Sequence, residues 1–372
     1  MYTYIISAPA MKKVTLVYFV FICFAIRYLS KVILHIDTVL FDLFIYAIVL
    51  YLADLRDKGK YLVYLVILSC LILFNVEAIR VCLIVLLCFI STDINIKKLA
   101  LVNTVTGFFM IGTVFYLLHT GVLMNESYVA YNVGDTLRER HSLGIGYNRF
   151  SILFFSVILN LYIVLSGRLN KYLLSILCFA LVYWCYTLTG SNTAFAGGIG
   201  LAFFNLLYNT KITKKIFEKR IILFYAPLCL LILTIVVAFL SDKLPVLNLI
   251  LTSRPHFILS YLYTLTPLDL LLGDANNMAS EDFYVDSSHI HLLFEGGIVF
   301  YLFFYNIYIK AMKYFLFQKK QNPNYNDYFI PVVFASMVIG LTECTLLEVS
   351  MIGNAIFWAI LFNYAFKYDK IE

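Results

Sequence analysis

The hydrophobic positions of this chain form long, nearly uninterrupted runs separated by short polar connections. A run of about 20 apolar residues is enough to cross the hydrocarbon core of a bilayer. Such runs lie near 14–34, 38–54, 60–75, 77–91, 99–118, 147–166, 172–189, 192–209, 221–240, 289–309, 328–345 and 350–366. The third and fourth runs are short, and a single re-entrant hairpin is the alternative for them. The pattern predicts an all-α polytopic integral membrane protein with about 12 transmembrane helices.

The composition excludes the main soluble classes. Of the 372 residues, 62% are hydrophobic and only 13% are charged, whereas about a quarter are charged in a typical soluble domain. The cysteines show no CxxC pair and no metal-ligand spacing, so we interpret them as small apolar side chains. We expect one membrane domain, 1–372, with a first long outer loop near 119–146 and a second, catalytic one near 241–288.

The net charge of +6 follows from topology. If the N-terminus is cytoplasmic, the inner connections hold 20 of the 28 lysines and arginines, as the positive-inside rule requires. Both termini are then cytoplasmic. The basic charge therefore does not indicate a nucleic-acid partner.

The unusual polar residues lie toward the predicted outer face. All the histidines fall on or close to that side: His35, His119, His141, His256, His289 and His291. In the second loop, Ser253-Arg254-Pro255 and Thr266-Pro267 are helix-start signals, and Gly273 is a stop signal. They predict two short helices in the membrane interface. We expect any chemistry to be extracytoplasmic.

Short motifs in and beside the outer loops resemble a known family. They are Leu143-Gly144-Ile145-Gly146-Tyr147-Asn148, Thr189-Gly190-Ser191-Asn192-Thr193-Ala194, Ser253-Arg254, Leu271-Leu272-Gly273 and the run from Asp286 to Ile298. In this order they resemble Wzy-type polysaccharide polymerases of the O-antigen polymerase/ligase superfamily. The chain departs from the family pattern at Asn192, where an arginine is usual, before Asn148, where a proline is missing, and at His289, where an aromatic is common. Ligases usually carry a histidine where Asp286 stands, which favours a polymerase.

The resemblance implies a reaction on the outer side of the bacterial inner membrane. Undecaprenyl-pyrophosphate-linked oligosaccharide repeat units would be polymerised into O-antigen, capsule or exopolysaccharide, with the lipid pyrophosphate as leaving group. No cofactor or metal is required. The partners would be the lipid-linked donor and acceptor, membrane lipids and a chain-length regulator. The alternatives are an O-antigen ligase, which transfers glycan to the lipid A core, and a flippase or transporter of the repeat unit.

Two residues carry the implied chemistry, and a third is an alternative. Arg254 would bind the pyrophosphate, because its guanidinium stays charged and pairs with phosphate oxygens; a snorkelling interfacial arginine is the alternative. Asp286 is the first candidate for the general base and His256 the second. Asp286 also fits the N-cap of the tenth span, and the two roles are compatible.

The remaining substrate-binding candidates are less specific. Arg138, Arg140 and His141 form a basic cluster that is either a phosphate site or a solvated turn. The other candidates are Arg149, just inside the sixth span, and His289, His291 and Glu295 at the tenth. Glu343 and Glu348 are not candidates, because we expect them to be solvated. The two tenth-span histidines face apart by ~200° in a helix, so at most one should contact substrate.

Overall fold

The computed structural model describes residues 8–32, 39–53, 59–72, 79–131, 137–208, 219–244, 254–274, 285–322, 328–347 and 354–372. The first half contains α1 (Ala8–Val32), α2 (Val39–Leu52), α3 (Gly59–Leu71), α4 (Ile79–Ile90), α5 (Ile96–His119), β1 (Ser127–Tyr131), β2 (Leu137–His141), α6 (Tyr147–Leu165) and α7 (Lys171–Thr189). The second half contains α8 (Asn192–Tyr208), α9 (Arg220–Lys243), α10 (Arg254–Thr264), α11 (Pro267–Leu272), α12 (Ser288–Phe294), α13 (Gly297–Gln321), α14 (Phe329–Ile339) and α15 (Asn354–Asp369).

Local sequence signals mark several helix ends. Asn95 caps α5 by accepting a hydrogen bond from the amide of Lys98, and Asn170 caps α7 in the same way. Such side chains satisfy amides that the first helical turn leaves without partners. Gly190 ends α7 in a left-handed conformation, with φ of 66°, which costs glycine little. The apolar runs therefore become helices whose ends are locally specified.

The centre of the fold is the packing of α13 against α15. Aromatic rings dominate this contact: the Trp358 ring centroid lies 5.7 Å from that of Phe300 and 5.6 Å from that of Phe304. Around this pair, α8 packs against α7 and α14, while α6 packs against α5, α7 and α8. The starts of α6 and α8 are thereby brought side by side.

Several helices are apolar enough to lie in a membrane. Among the described residues, α5, α6, α7 and the Ile222–Lys243 part of α9 are long and apolar enough to cross one. A fifth span results if the bent pair α12 and α13 is counted as one. These helices indicate a membrane-embedded protein, while α3, α4 and α14 are apolar but shorter.

The segments predicted to lie on the outer side differ from expectation in two places. The first long loop contains an antiparallel β-hairpin, in which Val129 pairs with Glu139. The tenth apolar run is not a continuous helix, because the chain bends by 118° between α12 and α13. Gly297, with φ of 64°, takes part in this bend. The Leu271 carbonyl at the end of α11 lies so close to Gly297 that there is no space for a side chain at position 297.

The two short helices expected in the second loop are present as α10 and α11. The second begins with a capping box, in which Thr266 and Asp269 bond each other's backbone amides, and Pro267 occupies its first turn. It ends at Gly273, as the sequence predicts. The start signal at Ser253 and the acidic stretch 275–284 lie outside the described residues.

Candidate functional site

A polar cavity of about 250 Å³ lies where the first turns of α6, α8 and α10 meet. It is lined by Arg140, Tyr147, Asn148, Ser191, Asn192, Thr193, Arg254, Phe257 and Asp286. A hydrogen bond of 3.0 Å between the hydroxyls of Ser151 and Ser191 joins α6 to the start of α8. The cavity therefore combines residues from five separate segments of the chain.

Arg254 is the centre of an ion-pair network. Its Nε lies 3.2 Å from Asp286 Oδ2, and its Nη2 lies 2.6 Å from Glu343 Oε1. The same Glu343 oxygen accepts a hydrogen bond of 2.7 Å from Thr193 Oγ1. The side chains of Arg254, Asp286 and Glu343 are 19%, 16% and 5% exposed. One guanidinium thus bridges two carboxylates at the wall of the cavity.

The two carboxylates have unusual titration properties. Burial and the neighbouring charge of Glu343 raise the pKa of Asp286 from its ordinary value to about 7, although Arg254 lowers it in part. Burial also raises the pKa of Glu343, again against the lowering effect of Arg254. Asp286 therefore changes charge near neutral pH, where a general base is most effective.

The segment 340–347 is held firmly against the start of α12. The backbone amide of Ser288 donates to the Gly340 carbonyl at 2.8 Å. Ser288 Oγ donates to the Glu343 carbonyl at 2.6 Å and accepts from the Leu346 amide at 3.1 Å. These bonds place the Glu343 side chain beside Arg254.

Arg140 reaches the cavity from the hairpin. Its Nη1 donates to the Tyr147 hydroxyl at 3.0 Å, and its guanidinium lies 4.8 Å from the centre of that ring. Among the described residues, its Nε has no hydrogen-bond partner. Gly190 allows β2 to approach this closely, because a Cβ at position 190 would lie 2.5 Å from the Glu139 carbonyl oxygen. Among the described residues Arg140 forms no ion pair, although its charge lowers the pKa of Glu343.

A second polar cluster lies at the bend between α12 and α13. His291 Nδ1 lies 2.9 Å from Glu295 Oε2, and its Nε2 lies 2.7 Å from the Val285 carbonyl. Arg80 Nε lies 3.2 Å from Glu295 Oε1. Among the described residues, His291, Glu295 and Cys344 form the group whose donor atoms are close enough to hold a metal ion. The protein partners of His291 and Glu295 already account for their positions.

Three of the sequence-predicted candidates come together at the cavity, namely Arg254, Asp286 and Arg140. His256 and Arg149 are exposed, and like His141 they are not among the lining residues. Arg138 pairs with Ala130 in the hairpin, but its side chain lies outside the described part.

The residues of the tenth run have structural partners instead of a place in the cavity. His289 Nε2 bonds the Met337 carbonyl at 2.9 Å, while His291 and Glu295 pair with each other. The N-cap of α12 is Ser287 rather than Asp286, whose carboxylate pairs with Arg254.

One important residue was misjudged from the sequence. Glu343 was expected to be solvated, yet it is 4% exposed and pairs with Arg254. Thr193, within the motif that follows α7, holds the Glu343 carboxylate and was not singled out either. The available signal was an acidic residue between two strongly apolar runs, where an unpartnered charge is costly. Glu348 lies outside the described residues.

Comparison of the chain with protein-family models, curated proteins and solved structures finds no match. The geometry of the site and the sequence motifs therefore carry the functional conclusion.

Proposed function

We propose that this protein polymerises lipid-linked oligosaccharide repeat units on the outer side of a bacterial inner membrane. In the proposed topology the chain crosses the membrane about 12 times, and both termini are cytoplasmic. The products would be O-antigen, capsule or exopolysaccharide. The donor and the acceptor are both carried on undecaprenyl pyrophosphate.

The observation that supports this proposal is the convergence of the family-like motifs on one cavity. Tyr147 and Asn148 come from the first motif, Ser191 to Thr193 from the second, and Arg254 and Asp286 from later ones. These residues are separated by up to 139 positions along the chain, between 147 and 286. Since most polar residues of the chain lie elsewhere, their gathering at one cavity favours a shared chemical task.

The proposed reaction uses this geometry for a single glycosyl transfer. The bond between the anomeric carbon of the donor and its pyrophosphate oxygen breaks. A new bond forms between that carbon and a hydroxyl oxygen of the acceptor sugar. Asp286 accepts the hydroxyl proton, and the lipid pyrophosphate leaves with the bonding electrons. A carboxylate with a pKa of about 7 is suited to this role, because it is largely ionised just above neutral pH yet still basic.

The two arginines of the cavity have different tasks in this proposal. Arg254 is already shared by Asp286 and Glu343, so most of its charge is compensated. Arg140 is partnered by a neutral phenol and ring. We therefore assign the pyrophosphate mainly to Arg140, whose planar fork suits phosphate oxygens. Arg254 keeps Asp286 in place at the cavity wall.

A glycan ladder from a deletion strain tests the proposal. Wild-type protein supplied in trans should restore long chains, whereas Asp286→Asn should leave single repeat units on the carrier. The substitution removes a proton-accepting group but preserves the size of the side chain. Asp242→Asn is the matched control, because it is the same substitution at an exposed position that does not line the cavity. Protein levels in isolated membranes should be equal for all variants.

The position of the glycan distinguishes the alternatives. Long chains that accumulate on undecaprenyl pyrophosphate in the deletion strain would indicate a ligase. Repeat units that stay on the cytoplasmic side would indicate a flippase. An unaltered ladder with Asp286→Asn would contradict the assignment of Asp286 as the base.

A further inference from the structure

Glu343 lies outside every motif that resembles the polymerase family. It belongs to the 340–347 segment after α14, and its side chain is buried. We propose that Glu343 is a positioning residue of the candidate site, acting on Asp286 through the Arg254 guanidinium and through its own negative charge. This inference rests on the proposed function, in which Asp286 accepts the proton of the acceptor hydroxyl.

The contacts make Glu343 a support for Arg254 and not a substrate ligand. Its Oε1 accepts from Arg254 Nη2 at 2.6 Å and from Thr193 Oγ1 at 2.7 Å. The neighbouring donor of the same guanidinium, Nε, faces Asp286 at 3.2 Å. Among the described residues, Glu343 is not part of the cavity lining. It therefore acts through the arginine that it holds.

The charge of Glu343 also acts directly on Asp286. Burial is the largest cause of the raised pKa of Asp286, and among the described residues the charges that act on it come from Glu343, Arg254 and His291. Arg254 on α10 and His291 on α12 lower the pKa of Asp286, whereas Glu343 raises it. Arg140 on β2 lines the same cavity and lowers the pKa of Glu343. Glu343 thus adds to the effect of burial in raising the pKa of Asp286, because two carboxylates that share one cation disfavour each other's ionisation.

A change from glutamate to glutamine separates hydrogen bonding from charge. In Glu343→Gln, the amide oxygen of the new side chain can still accept from Thr193 and Arg254, but it carries no negative charge. If Glu343 acts as proposed, the pKa of Asp286 should fall from about 7 toward its ordinary value. A residue with only a structural role would leave the titration of Asp286 unchanged.

The experiment is an infrared titration of the purified full-length protein in detergent micelles. The carbonyl stretch of protonated Asp286 is assigned by its loss in Asp286→Asn. In the wild type its midpoint should lie near pH 7, and Glu343→Gln should shift it to lower pH. Glu343→Met is a second variant that removes the hydrogen bonds holding Arg254 as well as the charge, so its midpoint should shift to lower pH by less than that of Glu343→Gln. Glu139→Gln, at an exposed position of β2, is the matched control and should leave the midpoint unchanged.

An activity measurement links this shift to catalysis. The probe is the lipid-linked repeat unit that accumulates in a deletion strain, added to proteoliposomes of each variant. The acidic limb of the rate should move to lower pH in Glu343→Gln by the amount seen in the infrared titration. Wild-type protein that does not elongate the probe would contradict the proposed function, whereas the infrared shift reports on Glu343 separately. Unchanged midpoints in both Glu343 variants would overturn the inference.

Discussion

Replacing Arg254 with methionine should destabilise the protein in a pH-dependent manner. The arginine side chain is 19% exposed and is the cation that Asp286 and Glu343 share. Methionine retains most of the apolar stem of the arginine side chain. The substitution therefore removes the charge and its hydrogen bonds, and leaves two carboxylates close to each other with little access to water.

The expected loss of folding free energy depends on whether these two carboxylates are ionised. Breaking a buried ion pair by removing one partner costs about 3–5 kcal/mol, and this full cost applies above neutral pH, where both groups are ionised. At pH 5 the carboxylates of the variant can take up protons, and the loss falls to about 1–3 kcal/mol for hydrogen bonds to neutral groups.

The direction of this dependence can be derived from the pKa values. Arg254 lowers the pKa of both Asp286 and Glu343, so its removal raises both folded-state values further above those of the unfolded chain. Such groups bind more protons in the folded state. Their contribution to stability is complete below the unfolded pKa and is lost as pH rises through the folded pKa. Across that window, each additional proton bound by the folded state changes the free energy of unfolding by about 1.4 kcal/mol per pH unit.

Thermal unfolding in detergent micelles at pH 5 and pH 8 measures the effect. Tryptophan fluorescence is a suitable signal, because Trp358 is buried and donates to the Leu346 carbonyl at 2.6 Å, in the segment that carries Glu343. Arg149→Met is the control for loss of an exposed arginine. The reasoning is refuted if Arg254→Met lowers the unfolding temperature equally at both pH values, after subtraction of the control.

Two further predictions concern the hairpin and the topology. Gly190→Ala should reduce long glycan chains on a gel and lower the stability by about 1 kcal/mol or more. The reason is that φ at this position is 66° and the new Cβ would meet the Glu139 carbonyl. An unchanged ladder would show that β2 need not approach α7. The topology is tested in a chain whose exposed native cysteines, Cys70 and Cys229, are replaced. In that chain Met124→Cys, at a position 77% exposed, should react with an impermeant thiol reagent from outside. Gln321→Cys should react only after lysis. The reverse pattern would invert the proposed topology.

The helical elements were largely predictable from the sequence, because their signals are local. The bilayer core contains no water that could bond backbone amides and carbonyls. An apolar run that crosses it must therefore form a helix, which pairs these groups internally. Polar caps and glycines then mark where the helices begin and end. The capping box at Thr266 and the stop at Gly273 are examples in which a few neighbouring residues contain the whole signal. The sequence also singled out Arg254 and Asp286, which line one cavity in the structure.

The partners of those two residues were decided only by tertiary structure. The Arg254–Glu343 pair joins positions 89 residues apart, and the Thr193–Glu343 bond joins positions 150 apart. No periodicity or spacing records such contacts, since they depend on how α8, α10 and the segment after α14 pack. The break between α12 and α13 has the same origin, because the close approach of Leu271 to Gly297 forms only when α11 packs there. The sequence by itself thus determined a helical protein with helices apolar enough to lie in a membrane. The folded chain determined which carboxylates share Arg254, because burial and charge act through space and not along the chain.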